Sequence, residues 1–144
     1  MNIQFGITNI TETEFKLNPD FEFEGFDKNL VNFGFRHMLS ANKEKGDVSI
    51  LMSVLLSVGD QQTELVTESV RCTFHLIPFD AVIKHIEEGK IEVTSPELID
   101  TLINVTIGTL RGILYKNLRG TPLNGIILPL IPMTMIQKAA RISK

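Results

Sequence analysis

Val48-Ser49-Ile50-Leu51-Met52-Ser53-Val54-Leu55-Leu56-Ser57-Val58 is the stretch on which the fold turns. Its even positions, Val48, Ile50, Met52, Val54, Leu56 and Val58, are all apolar. Its odd positions carry Ser49, Ser53 and Ser57 with Leu51 and Leu55 between them. A period of two sends successive side chains to opposite faces, so this is a strand with one dry face and one mixed face. The segment before it behaves alike: Val31, Phe33, Phe35, His37, Leu39 and Ala41 share one face, and Asn32, Gly34, Arg36 and Ser40 the other. The polar run Asn42 to Asp47 joins the two as a hairpin. Gly59-Asp60-Gln61-Gln62 marks a second turn. A further strand runs from about Glu64 to Leu76, with Val66, Val70, Cys72, Phe74 and Leu76 inward and Thr67, Ser69, Arg71, Thr73 and His75 outward. Glu68 interrupts its apolar face near the start, where a strand end is expected to be wet.

The N-terminal stretch alternates more weakly. Ile3, Phe5 and Ile7 interleave with Gln4, Gly6 and Thr8, and a Thr-rich run continues to Phe15 and Leu17 before Asn18-Pro19-Asp20. Phe21 to Asn29 is acidic and Phe-rich and reads as a loop or irregular edge. The expectation is a four-stranded antiparallel sheet whose last three strands form a meander.

Helical spacing takes over after it. Phe79, Val82, Ile83 and Ile86 predict a short helix over Pro78 to Glu88, with Gly89 as its stop. Thr94-Ser95-Pro96-Glu97 opens a longer one, either hydroxyl serving as cap and proline fitting the first turn. It runs to about Arg119, with Gly120 as terminator. Its apolar positions, from Leu98 to Leu118, wrap more than one stripe, whereas one sheet dries one face. A second copy of the chain is the expected cover. Leu123 to Ile131 is apolar and irregular, and Met133 to Lys144 is read as a short basic helix. The class is therefore α+β, a single domain over 1–144.

Composition narrows the functions. A net charge of −3 and scattered basic residues argue against nucleic acid as the main partner. The single cysteine, Cys72, allows no disulfide within the chain and fits a reducing compartment. No secretory signal is read over Met1 to Thr13. The most apolar helical stretch, Leu98 to Leu118, is interrupted by Asp100, Asn104, Arg111 and Lys116, so no membrane insertion is expected. By elimination the protein is placed in the cytoplasm.

At Thr109-Leu110-Arg111-Gly112-Ile113, Arg119-Gly120-Thr121-Pro122-Leu123 and Ile127-Leu128-Pro129 the chain resembles the SecB family of export chaperones and its SecB-like relatives. The order of elements is similar too: four antiparallel strands, a short helix, a long helix and a tail. The resemblance implies a non-enzymatic molecular chaperone that binds unfolded or precursor polypeptides in apolar grooves between sheet and helix. It implies a homo-oligomer, a dimer or tetramer, with long helices at the interface, and no cofactor. It carries a role in protein export, with hand-over to a translocation motor through an acidic surface for which Glu12, Glu14, Glu64 and Glu68 are available. The alternative is a dedicated partner-binding protein, such as a SecB-like chaperone of a toxin–antitoxin system. The basic ending Lys138-Ala139-Ala140-Arg141-Ile142-Ser143-Lys144 departs from the acidic tail of the export members.

Candidate polypeptide-binding residues are Phe5, Phe33, Phe35, Leu51 and Leu55. Core packing explains Phe33 and Phe35 equally well. Leu51 and Leu55 have no evident reason within the chain to be apolar among serines. Gly108 and Gly112, four apart on the long helix, each cost roughly 1 kcal/mol against alanine. They mark either close approach of another element or simple drift. With Arg111 they form the candidate oligomer interface. An unpaired charge in mid-helix is costly, so Arg111 is expected to reach a carboxylate or carbonyls. The three histidines, His37, His75 and His85, lack metal-ligand spacing, and no nucleophile or phosphate-binding motif is present.

Overall fold

The structure, a computed structural model, describes residues 3–87 and 90–131. Four long strands build the main sheet: β1 (Gln4–Leu17), β2 (Asn32–Asn42), β3 (Asp47–Val58) and β4 (Thr63–Ile77). Their order is β1-β4-β3-β2, all neighbours antiparallel, so β2-β3-β4 form the meander and β1 adds outside β4. The alternation of β3 becomes burial: Val48, Ile50, Met52, Val54 and Leu56 are buried, while Ser49, Leu51, Ser53 and Leu55 are half-buried on the reverse face. In the β2–β3 turn Gly46 takes φ +70°, and a Cβ there would lie 3.2 Å from the His75 ring. Only glycine turns the chain there without strain.

A single long helix, α1 (Pro96–Asn117), lies across β3 and β4. Ile99, Leu102, Ile103, Ile107, Leu110 and Leu114 are buried in the core with Val66, Val70, Cys72, Phe74 and Leu76 of β4. By length and composition α1 could cross a membrane, but its buried stripe is part of this core. Pro96 occupies the first turn as expected. Ser95 makes no capping hydrogen bond, and the Thr94 hydroxyl donates instead to Ala81 O at 2.6 Å.

The expected short helix over Pro78 to Glu88 is absent. Phe79–Ala81 is a single 3-10 turn, and the chain continues as a hairpin of β5 (Ile83–Glu87) and β6 (Lys90–Val93). Val82, Ile83 and Ile86 are β-branched residues that favour a strand, as are Ile91 and Val93 after them, and here that preference prevails over the helical spacing of the first three. Thr94 N–H donates to Val82 O at 2.7 Å and ties the hairpin to the start of α1. Gly89 and the basic helix expected over Met133 to Lys144 lie outside the described residues.

The segment that follows α1 returns to the core. After α1, Leu123, Ile126 and Leu128 are buried against the core. The Arg111 guanidinium donates from Nε to Leu128 O at 2.8 Å and from Nη2 to Pro129 O at 3.0 Å, pinning that segment. The loop from β1 to β2 closes a corner with Phe21, Phe23 and Phe26 in edge-to-face contact, and Lys28 Nζ reaches Asn124 O at 2.8 Å.

Candidate functional site

The register defines what each face of the sheet carries. On the α1 side, Phe5 lies beside Leu76, Ile7 beside Phe74, Ile10 beside Cys72, Glu12 beside Val70, Phe15 beside Glu68 and Leu17 beside Val66. The β4 partners are buried, but their β1 neighbours are not: Phe5 is 48% exposed, Ile7 45%, Ile10 49% and Phe15 38%. The helix covers β3 and β4 and leaves the inner face of β1 open. The result is an apolar strip from Phe5 to Phe15 that runs beside Leu76 to Glu68 of β4, about 27 Å at strand rise. Exposed apolar strips on long edge strands mark sites where another chain is received.

Two register shifts build this strip. Irregularities between Ile7 and Asn9 and between Glu12 and Glu14 take up Thr8 and Thr13. Each extra residue switches which parity faces inward. Ile10 therefore joins Phe5 and Ile7, and Phe15 returns to the same face after the second shift. Ile10 and Phe15 have even and odd numbers, so a plain alternation cannot assign both.

One polar cluster interrupts the strip. Glu68 is fully buried, contrary to the wet strand end expected for it. Asn117, at the last turn of α1, donates through Nδ2 to Glu68 Oε1 at 2.7 Å and to Glu12 Oε2 at 2.5 Å. Glu68 Oε2 is buried without a donor among the described residues. Burial raises the Glu68 carboxyl from the ordinary 4.5 to about 8, and the neighbouring Glu12 carboxylate adds to the rise against the opposing Asn117 amide. Burial thus favours the neutral form of Glu68 near pH 7, with the Asn117 amide bridging it to Glu12. Across the sheet on the same face, burial lowers the pKa of His37 on β2.

The sequence-predicted residues divide between the two faces. Phe5, Phe33 and Phe35 lie on the α1 side, with Phe33 half-buried and Phe35 36% exposed. Leu51 and Leu55 lie on the reverse face, half-buried, opposite Met38 and Gly34 of β2. No single groove holds all five. Gly108 and Gly112 are exposed on the outward stripe of α1 with Val105 and Tyr115, and nothing lies within 4 Å of where their Cβ atoms would be. Among the described residues no other element approaches either glycine closely. Arg111 faces its own chain's carbonyls. Of the four carboxylates considered for an acidic surface, Glu12 and Glu68 face inward, while Glu14 and Glu64 lie outward, opposite Ser69 and Ser57. Among the described residues no group of three or more His, Cys, Asp or Glu converges as a metal site.

No protein-family model matches the chain, and no curated protein does. Solved structures do. A Mycobacterium tuberculosis SecB-like chaperone, Rv1957, in complex with a ChAD peptide from the Rv1956 HigA1 antitoxin, superposes with a TM-score of 0.54 at 9% identity. The match covers 89% of this chain and 91% of that one. A Streptococcus agalactiae protein of unknown function matches at 12% identity over 90% of this chain and 100% of that chain, with a TM-score of 0.43. The fold is SecB-like: a four-stranded antiparallel sheet with one long helix across it.

Proposed function

We propose that this protein is a SecB-like chaperone of the cytoplasm that receives extended, non-native polypeptide on the open inner face of β1. The observation that carries this reading is the strip Phe5, Ile7, Ile10 and Phe15, each between about a third and a half exposed on an edge strand. An incoming segment can hydrogen-bond to the free β1 edge and place alternate side chains against the strip. Covering four side chains that are already about half buried contributes roughly 1 kcal/mol each, before the cost of ordering the client. Such a surface binds many sequences weakly and breaks no bond. No catalytic step is needed, and no cofactor.

A dedicated partner is the second reading, favoured by the fold's likeness to a chaperone solved with an antitoxin peptide. The four carboxylates considered for a translocation motor do not form one acidic surface, since Glu12 and Glu68 lie on the α1 side and Glu14 and Glu64 on the reverse face. We further propose that the subunits pair through the exposed stripe of α1 at Val105, Gly108, Gly112 and Tyr115.

The test is titration of the purified protein with a fluorescently labelled, reduced and permanently unfolded protein, beside light scattering for the assembly mass. Micromolar binding that tolerates changes of client sequence supports the general chaperone. Binding to none of several unrelated unfolded chains favours the dedicated partner.

A further inference from the structure

We infer that the reverse face of the sheet is a second docking surface, one that takes an acidic polypeptide segment. It is independent of the strip on β1. The register sets Met38, Leu51 and Arg71 side by side in one row across β2, β3 and β4, and Arg36, Ser53 and Ser69 in the adjacent row. Met38 is 62% exposed, Arg36 and Arg71 are exposed, and Leu51 is half-buried between them. The Ser53 and Ser69 hydroxyls are paired at 2.7 Å, so the floor between the two arginines is low, neutral and already satisfied.

Charge complementarity identifies the occupant. Asp47 is hydrogen-bonded to the His75 ring at 2.9 Å at the far end of this face, and among the described residues neither Arg36 nor Arg71 has a carboxylate partner. Glu14 lies on the same face opposite Ser69, at the β1 edge, and forms no ion pair among the described residues. Two guanidinium groups without a carboxylate partner among the described residues therefore flank an uncharged floor of Leu51 and Ser53 on a chain whose net charge is −3. Guanidinium forks suit carboxylates, which they hold through paired hydrogen bonds. Two strand spacings across and two residues along place the arginines about 12 Å apart. An extended segment with acidic residues four apart spans about 13 Å and sets the residue midway between them over β3, between Leu51 and Ser53. Nucleic acid fits less well, since two cations neutralise few phosphates and no aromatic side chain stands in these two rows for base stacking.

The experiment is fluorescence anisotropy on the full chain with a labelled peptide carrying two glutamates four apart and a leucine midway, against the same peptide with lysines. The glutamate peptide is expected to bind at least tenfold more tightly and to weaken steeply with added salt. Arg36→Glu with Arg71→Glu is expected to reverse the preference while leaving affinity for unfolded protein at the parent level. If that variant misfolds by circular dichroism, Arg36→Gln with Arg71→Gln is read instead and is expected to abolish the preference. Equal affinity for the two peptides overturns the inference. So does an unchanged preference in the folded variant, or tighter binding to an oligonucleotide or anionic vesicles than to the glutamate peptide. Loss of unfolded-protein binding in the folded variant overturns the independence of the two faces.

Discussion

Replacing Glu68 by glutamine is expected to flatten part of the pH dependence of stability. Glu68 is fully buried, and its carboxyl is raised from 4.5 to about 8, by burial first and by Glu12 second. Since the folded chain holds this proton more tightly than the unfolded chain, the stabilisation is complete below 4.5 and is lost as pH rises through 8. Between pH 5 and pH 8 each unit costs about 1.4 kcal/mol for one such proton, or about 4 kcal/mol in all as an upper bound. At ~3 °C per kcal/mol for a domain of this size, that is a fall of about 10 °C in melting temperature. Glutamine keeps an acceptor for Asn117 and offers an amide to Glu12 without a titrating proton. His37, lowered by burial, acts in the opposite sense: it costs stability as pH falls below its usual 6.5. It is common to both proteins and cancels in the difference. The assay is thermal unfolding by circular dichroism of parent and Glu68→Gln at each unit from pH 5 to 8. The difference is expected to move steadily in favour of the variant as pH rises. Parallel curves would refute a buried neutral acid at this position.

Arg111→Ala removes two charge-assisted hydrogen bonds to Leu128 O and Pro129 O and is expected to cost about 2–3 kcal/mol, read as a lower denaturant midpoint. Protease nicking near Leu128 should rise with it, and an unchanged midpoint would show that the guanidinium is merely solvated. Gly108→Ala with Gly112→Ala meets open space in one chain, so each is expected to add about 1 kcal/mol of helix stability. If α1 pairs with a second copy through this stripe, light scattering shows a smaller mass for the variant, and an unchanged mass excludes the pairing.

The parts of the fold that rest on period two were legible in the sequence. Strands β2, β3 and β4, with their dry and mixed faces, follow from residues such as Val48 to Val58, because burial of one face allows only one register. The β5–β6 hairpin was not legible, since Phe79, Val82, Ile83 and Ile86 satisfy a helical spacing and only the β-branching of Val82, Ile83 and Ile86 argues otherwise. The open strip was half legible. Phe5 was visible, but Ile10 joins it only through a register shift that leaves no local signature. The buried state of Glu68 was hidden for a different reason: its cover comes from Asn117 and Glu12, which are 49 and about 56 residues away along the chain. The wide apolar surface of α1 was read as a demand for a second copy, whereas Leu123, Ile126 and Leu128 of the same chain join the core that α1 helps to build.

Binding of a labelled unfolded protein to the parent chain and to Phe5→Ser with Ile10→Ser tests the central claim most directly. Both side chains are about half exposed, so the variant is expected to keep its circular dichroism spectrum and its mass while its affinity for the unfolded protein falls about tenfold or more. A variant that folds and assembles like the parent and binds with undiminished affinity would contradict the claim that β1 receives the client.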